Sequence, residues 1–342
     1  MNSCFSKHKK CCRRIFPAFP PASPPEVRVL AYVTNSGDDP AADTVSVINT
    51  TTNTEILPRI PVGDNPLGIA ITPDGLRAYV TNSFHNTVSV INTTTNMIIG
   101  NPIPVGNFPF GIAITPDGSR AYIANLIDDT VTVINIATNT EILPRIPVGN
   151  DPVGIAITPD GSRAYVTNSF SNNVSVISTA TNTEIFPRIP VGELPIEIAI
   201  TPNGSRAYIT SGVIDGTSDT VSIINIFTNT EILPRIPVGD GPRGIAITPD
   251  GSRAYVTNLF DNNISVINTA TNTEILPRIP VGNGPIRIAI TPDGSRAYIT
   301  NIGDNNVSVI NTITNIEIFP RIPVGDFPFA ITIAIAIIPN FF

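Results

Sequence analysis

The sequence contains few of the residues on which many metal sites and catalytic sites depend. It has two histidines, His8 and His85. Its three cysteines all lie within the first 12 residues. Two histidines are too few for a metal centre built from several imidazoles, and the fold beyond residue 12 cannot depend on disulfides. No uninterrupted apolar run reaches about 18 residues, so we predict no membrane-spanning helix.

Charge is also scarce, and it is unevenly distributed. Residues 1–25 contain five basic side chains and no acidic one, which leaves the rest of the chain with a net charge of −12, against −7 for the whole. An acidic body argues against nucleic acid as a partner, because phosphate binding needs a basic face. The apolar stretch IFPAFPPA is too short and too rich in proline for a secretory signal. We therefore predict that residues 1–25 form a disordered basic tail.

The three cysteines of this tail, Cys4, Cys11 and Cys12, have more than one interpretation. With His8 they could bind a metal, accept a lipid or cross-link to another chain. Their spacing fits no standard zinc pattern, in which ligands come in two pairs. We favour a flexible tail with incidental thiols.

Proline, glycine and one repeated hexapeptide are abundant. The 34 prolines and 24 glycines, set among β-branched residues, predict many short strands separated by turns. The stretch RAYVTN at Arg77–Asn82 returns in five further close copies, and a looser copy, LAYVTN, begins at Leu30. The tyrosines of successive copies are 43 or 47 residues apart. A repeat of this length is typical of a four-stranded propeller blade.

Each copy can be divided into four strands, as the fourth copy shows. GIAIT (Gly154–Thr158) is followed by a Pro-Asp-Gly turn, RAYVTN (Arg163–Asn168), NVSVIS (Asn173–Ser178) and, after a Thr-Asn turn, TEIFPRIPVG. Proline cannot donate hydrogen bonds within a sheet, so the fourth strand is predicted to lie at the rim. The alternation of large and small residues in GIAIT suits the crowded axis of a propeller.

The two ends of the repeat array predict how the ring closes. The first copy lacks a GIAIT strand, and one extra strand, FPFAITIAIAIIPN, follows Pro323–Gly325 of the seventh copy. We therefore predict an all-β, seven-bladed β-propeller over residues 26–342, with four antiparallel strands per blade. The C-terminal strand is predicted to supply the inner strand of blade one, which removes the last free sheet edge.

The motifs AYVTN, PDGSRAYVTN and TVSVIN make the chain similar to the YVTN-repeat β-propellers, known from archaeal surface-layer proteins and from bacteria. The resemblance extends over residues 26–342. It implies a propeller that serves as a binding scaffold, with no single activity shared by the family. It also implies a cell-surface or extracellular location, although no secretory signal is evident. The second copy departs from the pattern, because NMIIGNPIPVG lacks the Glu and Arg of the other rim strands.

The copies vary mainly in two connections, which the alternating strand directions place on one face of the disc. These are the loop before the inner strand and the loop after YVTN, and the two longer copies have their insertions here. Repeat proteins usually place such insertions on a binding face. We call this surface the loop face. Its candidate contact residues are Phe84, His85, Phe108, Ile127, Phe170, Asp215, Phe260 and Phe327. Phe108 and Phe327 are favoured, because phenylalanines repeated in phase could instead act as staples between blades.

Three charges interrupt the apolar start of the inner strands. Glu197, Arg243 and Arg287 belong to blades five, six and seven, with Glu193 nearby, and we predict that they converge at one mouth of the central channel. They could form a pocket for a small polar or anionic ligand. The favoured alternative is a mutually neutralising cluster that pairs Glu197 with Arg287 or Arg243, because unpaired charge is costly in such a crowded place.

The sequence indicates no catalytic apparatus. The repeat places no serine or cysteine nucleophile beside His85, and the loop-face aspartates lack the run of ligands that calcium needs. We therefore predict no cofactor, no metal site and no catalytic residue. The expected function is a non-enzymatic scaffold that binds a protein, glycan or cell-envelope component through the loop face. The alternative is a small-ligand binder or lactonase-like enzyme that uses the channel charges.

Overall fold

The computed structural model describes residues 26–37, 43–212 and 219–338. In these ranges the chain forms strands and turns without any helix, and therefore without a helix that could cross a membrane. The strands form seven antiparallel sheets, and the innermost strands of neighbouring sheets contact one another in a closed ring. This confirms the predicted seven-bladed propeller. The predicted tail, residues 1–25, lies outside the described residues.

The blades follow the order of the repeats, and all strands are numbered along the chain. Blade one contains β1 (Glu26–Asn35), β2 (Thr44–Asn49) and β3 (Thr54–Pro61); blade two β4 (Pro66–Ile71), β5 (Arg77–Asn82), β6 (Thr87–Asn92), β7 (Met97–Ile98) and β8 (Ile103–Pro104); blade three β9 (Pro109–Ile114), β10 (Arg120–Asn125), β11 (Thr130–Asn135) and β12 (Thr140–Pro147). Blade four contains β13 (Pro152–Ile157), β14 (Arg163–Asn168), β15 (Asn173–Ser178) and β16 (Thr183–Pro190); blade five β17 (Pro195–Ile200), β18 (Arg206–Ser211), β19 (Thr220–Asn225) and β20 (Thr230–Pro237). Blade six contains β21 (Pro242–Ile247), β22 (Arg253–Asn258), β23 (Asn263–Asn268) and β24 (Thr273–Pro280); blade seven β25 (Pro285–Ile290), β26 (Arg296–Asn301), β27 (Asn306–Asn311) and β28 (Ile316–Pro323). The last strand, β29 (Pro328–Ile338), completes blade one.

The strand bounds in blade four agree with the sequence for the two middle strands and differ for the inner one and for the rim strand, which ends at Pro190, two residues before the end of the predicted TEIFPRIPVG. The inner strand β13 begins two residues earlier and ends one residue earlier than predicted. It begins earlier because Pro152 pairs with Asn168, while two residues of β13 bulge opposite a single residue of β14. It ends earlier because the amide of Thr158 bonds to the Arg163 carbonyl at 2.9 Å and so belongs to the turn.

The rim strands are held by a repeated ion pair that blade two lacks. In the six other blades a glutamate pairs with an arginine four residues later, as Glu55 does with Arg59 at 2.8 Å. Blade two has neither residue, and its rim strand is divided into β7 and β8, with Gly100 between them at a φ of 66°. The departure from the repeat pattern noted in the sequence is therefore visible as a broken strand.

The Arg and Tyr of RAYVTN tie each blade to the next one. The tyrosines of all seven copies are fully buried. In blade two, the Tyr79 hydroxyl donates to Oδ1 of Asn139 at 2.6 Å and Arg77 donates to the Ile136 carbonyl at 2.9 Å. Both acceptors lie in the turn between the third and fourth strands of blade three. The tyrosine bond repeats in all seven blades and the arginine bond in six, because blade one has Leu30 in place of the arginine, and these bonds explain why the chain repeats this hexapeptide.

The Thr of the same motif makes a second link, closer to the axis. The Thr81 hydroxyl accepts a hydrogen bond from the Gly68 amide at 2.7 Å, which holds the bulge of the inner strand. It donates to the Phe110 carbonyl of blade three at 2.8 Å. We call this pair of bonds the threonine bridge. Blade three has Ala124 in place of the threonine and cannot form it.

The ring closes as predicted from the ends of the array. The C-terminal strand β29 pairs antiparallel with β1, and Ile338 lies opposite Glu26. Blade seven then holds blade one through the motif used elsewhere: the Tyr298 hydroxyl donates to Oδ1 of Asn53 at 2.7 Å, and Arg296 donates to the Thr50 carbonyl at 2.7 Å. The contact between the last and first blades therefore has the same bonds as the contact between blades two and three.

Candidate functional site

A small cavity of about 180 Å³ lies on the axis, and the inner strand of every blade contributes to its wall. Adjacent inner strands approach so closely that a Cβ atom on Gly111 would collide with the Val153 carbonyl of the next blade. Glycine occupies this position in four blades, whereas Glu197, Arg287 and Ala330 occupy it in blades five, seven and one. Two of the predicted channel charges thus lie at the narrowest part of the ring.

Glu197 and Arg287 form an ion pair across the channel. The Arg287 Nε atom is 3.0 Å from Glu197 Oε2, and only 9% of Arg287 is exposed. The guanidinium also faces two aromatic rings, with its carbon 5.3 Å from the Phe329 ring centre and 5.9 Å from that of Phe110. Burial is tolerated because both charges are compensated. One of the two pairings that the sequence left open, Glu197 with Arg287, is therefore the one present.

Phe110 and Phe329 belong to this cluster and were not predicted from the sequence. Their rings meet edge to face, with centroids 5.5 Å apart. They occupy the same inner-strand position in blades three and one, directly after the proline that begins each strand. Arg243 occupies this position in blade six. That shared register was the signal in the sequence that could have identified them.

Arg243 lies one residue before the position of Glu197 and Arg287 in its own strand, and it is partly exposed. Burial lowers the pKa of its guanidinium, the positive charge of Arg287 lowers it further, and Asp219 acts in the opposite direction. The structure therefore brings Arg243 close enough to Arg287 for the two charges to interact, while Glu197 is bonded to Arg287.

Glu193 lies elsewhere on the loop face. It is exposed in the loop that precedes β17. The pKa of Arg235 on the rim is raised by its hydrogen bond to Glu231 and, to a smaller extent, by the charge of Glu193. Glu193 thus interacts with the rim of blade five.

Most of the predicted loop-face residues are well exposed. Between 45% and 71% of each of Phe84, Phe170, Phe260 and Phe327 is accessible, as is 63% of Ile127. Asp215 lies outside the described residues. These side chains extend from loops whose backbones are hydrogen-bonded to one another, so the surface that they form is held by the fold.

Two of these phenylalanines also contact the neighbouring loop, as the staple interpretation expected. The ring of Phe84 packs edge to face against Phe108, with centroids 5.8 Å apart, and Phe108 is half-buried by this contact. The ring of Phe260 lies over Gly241, where a Cβ atom would come within 2.5 Å of it. The same side chains therefore contact the neighbouring loop and remain partly exposed to solvent.

Phe108 and Phe327 adopt a backbone conformation that is unusual for large residues. Their φ angles are 54° and 48°, in the left-handed region. The equivalent residues of the other blades are Asn65, Asp151, Gly241 and Gly284, which adopt this conformation readily, and Leu194 of blade five. Aromatic residues at these two positions are not what the turn itself prefers.

His85 serves as a hydrogen-bond acceptor within its loop. Its Nδ1 atom accepts from the Asp64 amide at 3.0 Å. The equivalent acceptors in other blades include Asp128 and Asp304, which bind the amides of the loops beside them at 2.8 and 2.9 Å. These aspartates therefore have structural partners. Within the described ranges, His, Cys, Asp and Glu side chains nowhere gather in a group of three or more that could hold a metal ion.

One loop-face carboxyl is buried and has a perturbed pKa. Oδ2 of Asp43 accepts a hydrogen bond from the Asn65 amide at 2.9 Å, and only 2% of the residue is exposed. Burial raises the pKa of Asp43 to about 6, and the neighbouring carboxylate of Asp64 adds to the effect. Blade two has Asn86 in the equivalent place, where its Oδ1 atom binds the Phe108 amide at 2.9 Å. The site requires an acceptor and not a charge.

Comparison with known proteins relates the chain to solved structures only. No protein-family model matches it, and no curated protein matches it significantly. It is similar to hydrazine synthase of Kuenenia stuttgartiensis, with 24% identity, a TM-score of 0.71, and coverage of 78% of this chain and 88% of that one. A functionally unknown protein from Desulfotomaculum acetoxidans is 20% identical, with a TM-score of 0.76 and coverage of 91% and 99%. A "putative 6-phosphogluconolactonase" from Bacteroides fragilis is 19% identical, with a TM-score of 0.75 and coverage of 90% and 98%. At these identities the similarity shows the fold alone, a seven-bladed β-propeller.

Proposed function

We propose that the protein is a YVTN-repeat propeller that acts as a non-enzymatic scaffold, binding a protein, glycan or cell-envelope component through its loop face. The observation that carries the proposal is the conformation of Phe108 and Phe327. A large side chain in the left-handed region costs about 1 kcal/mol relative to glycine. Blades six and seven use glycine at this position, so the fold does not need the aromatic rings. A binding role accounts for their presence.

The surrounding surface has the character of a binding site. Phe84 and Phe108 form one aromatic pair, and Phe170 and Phe260 extend the exposed apolar surface to further blades. Phenylalanine presents a large contact area at little cost in conformational entropy, and aromatic residues are enriched at interfaces. The loops that hold these residues are cross-linked by backbone hydrogen bonds such as that from the Phe84 amide to the Asp64 carbonyl. The surface is therefore preorganised.

The channel supports the scaffold better than it supports a lactonase-like enzyme. Among the described inner strands, Glu197 is the one carboxylate, and its charge is taken up by Arg287. To bind a metal ion or to act as a general base, Glu197 would have to compete with its ion pair to Arg287. The enzymes among the structural relatives share only the fold with this chain, so they bring no activity to it.

The placement among YVTN-repeat proteins rests on the roles of the motif. Arg, Tyr and Thr bond the following blade, and Asn bonds the third strand of its own blade, as Asn82 does by donating to the Thr87 and Ser89 hydroxyls at 3.0 and 2.9 Å. Because nearly every residue of the motif makes such a bond, we attribute the motif to assembly of the ring. A cell-surface location belongs to the same proposal and can be tested by fractionation.

The test is retention of a partner by the immobilised full-length chain from a cell-envelope extract, or of a glycan on an array. In one variant Phe108 and Phe327 are both replaced by glycine. In the matched control Phe186 and Phe319, which are 69% and 68% exposed on the rim, are replaced by serine. We expect the loop-face variant to lose the ligand while folding normally, and the rim variant to keep it. A ligand held equally by both variants, or lost only by the rim variant, would contradict the proposal, as would the absence of any ligand.

A further inference from the structure

Blade six has a permanent positive charge where every other blade has an apolar side chain. The residue after the proline that begins the inner strand is Arg243 in β21. The equivalent residues are Leu67, Phe110, Val153, Ile196, Ile286 and Phe329. This position lies at the end of the channel that opens on the loop face, directly after a variable loop. No requirement of the repeat explains the arginine.

The guanidinium of Arg243 has no hydrogen bond or ion pair with any residue in the ranges 26–37, 43–212 and 219–338. Its backbone is well placed, because its carbonyl accepts from the Thr210 hydroxyl at 2.7 Å. The charged groups that act on it are Arg287, which repels it, and Asp219. The Asp219 carboxyl is itself engaged by the Gly241 amide and lies beside Asp240. As far as the described part of the chain is concerned, the five N–H donors of Arg243 are thus left for a ligand.

The three channel charges carry a net positive charge at the mouth of an otherwise acidic ring. Glu197 offsets Arg287 through their 3.0 Å ion pair, and Arg243 is left over. The guanidinium of an arginine stays protonated in proteins even when it is partly buried. A partly buried guanidinium is therefore stabilised most by an anion that offers two oxygen atoms to its planar fork.

We propose that the channel mouth on the loop face binds a small oxyanion, a carboxylate or a phosphate, through Arg243. Arg243 donates a bidentate pair of hydrogen bonds, and Arg287 contributes a second positive charge while it remains bonded to Glu197. The site is independent of the scaffold function proposed above, because it lies on the inner strand and not on the aromatic loops. It requires no metal and no chemical step.

The experiment is calorimetric titration of the full-length chain with inorganic phosphate and, separately, with malonate, at pH 7.5 and constant ionic strength. Saturable binding of at least one anion is expected, and the anion with the lower dissociation constant identifies the ligand class. Arg243→Ile, which installs the residue of blades five and seven, is expected to weaken binding roughly ten- to a hundredfold. Arg235→Gln on the rim removes the same charge elsewhere and is expected to leave the affinity within about twofold.

A second variant moves the affinity in the opposite direction. Glu197→Gln removes the carboxylate that competes for Arg287, so anions are expected to bind several-fold more tightly. Such a gain would not follow from a merely structural role of the cluster. The proposal is overturned if neither anion saturates the parent chain, if Arg243→Ile binds as tightly as the parent, or if Arg235→Gln loses as much affinity. Thermal unfolding of each variant confirms that it folds.

Discussion

Blade three provides a test of how much the threonine bridge stabilises the ring. Six blades have a threonine in the fifth position of the repeated hexapeptide, and in each of them its hydroxyl accepts from an inner-strand amide at 2.7 to 3.1 Å. In blade three Ala124 occupies this place and is fully buried. Ala124→Thr would allow a hydroxyl to accept from the Gly111 amide and donate to the Val153 carbonyl, as Thr81 does in blade two.

The size of the effect follows from the two hydrogen bonds. Each buried hydrogen bond contributes about 0.5–1.5 kcal/mol net, and threonine suits a strand better than alanine by a few tenths of a kcal/mol. We therefore expect the free energy of unfolding to rise by about 1–2 kcal/mol, and the melting temperature of a chain of this length by about 2–3 °C. The reverse change, Thr167→Ala, removes bonds of 2.8 and 2.9 Å and is expected to cost about 2 kcal/mol.

The assay is differential scanning calorimetry of the parent and three variants. Ala124→Val is the decisive control, because valine has the shape of threonine without the hydroxyl group. If Ala124→Val stabilises the protein as much as Ala124→Thr, filling of space and not the bridge explains the gain. If Ala124→Thr lowers the melting temperature while Thr167→Ala leaves it unchanged, the threonine bridge is not a stabilising element and the reasoning fails.

Three further predictions concern the buried carboxyl and the closing blade. Asp43→Asn is expected to stabilise the protein by about 1–3 kcal/mol at pH 7.5. The pKa of Asp43 in the folded protein is raised to about 6, so the stability of the parent falls as the pH rises through that value, and asparagine removes this loss. In denaturant titrations the gain should vanish below about pH 4, and an equal gain at both pH values would contradict this explanation. Truncation after Gly325 removes β29, leaves β1 as an open edge, and is expected to cause aggregation in size-exclusion chromatography; a soluble, cooperatively folding product would refute closure by this strand. Tyr298→Phe removes the hydrogen bond to Asn53 and is expected to lower the free energy of unfolding by about 1 kcal/mol in thermal unfolding. If the free energy of unfolding does not fall, this hydrogen bond does not stabilise the contact between the last and first blades.

The fold could be predicted from the sequence because the decisive information is repeated seven times. The period, the prolines of the rim strands and the unmatched first and last copies together determine the number of blades and the closure by β29. Each of these signals is local and has a physical cause: a proline without a donor, a glycine in a turn, an exposed edge. The bulge that begins the inner strand at Pro152 was missed, because it depends on a threonine in the neighbouring strand.

The arrangement at the channel could be predicted only in part. The sequence identified Glu197, Arg243 and Arg287 as exceptions to the repeat, but not which two would pair. Arg287 reaches Glu197 across an intervening blade, and this contact depends on the diameter of the ring and on the rings of Phe110 and Phe329. Distances across an axis are not encoded in any single repeat, so they could not be derived from repeat spacing.

The last contact in the ring uses the same bonds as contacts between blades that follow one another in the chain, and this has a consequence for the connectivity of the chain. Glu26 lies opposite Ile338, and blade seven holds blade one through the same tyrosine and arginine bonds that join the other blades. The ring therefore has no privileged first blade. A circular permutant, joined from residue 338 to residue 26 by a short linker and reopened in a loop of another blade, would keep all of these inter-blade bonds. The chain could thus begin at any of the seven blades and still form the same closed ring.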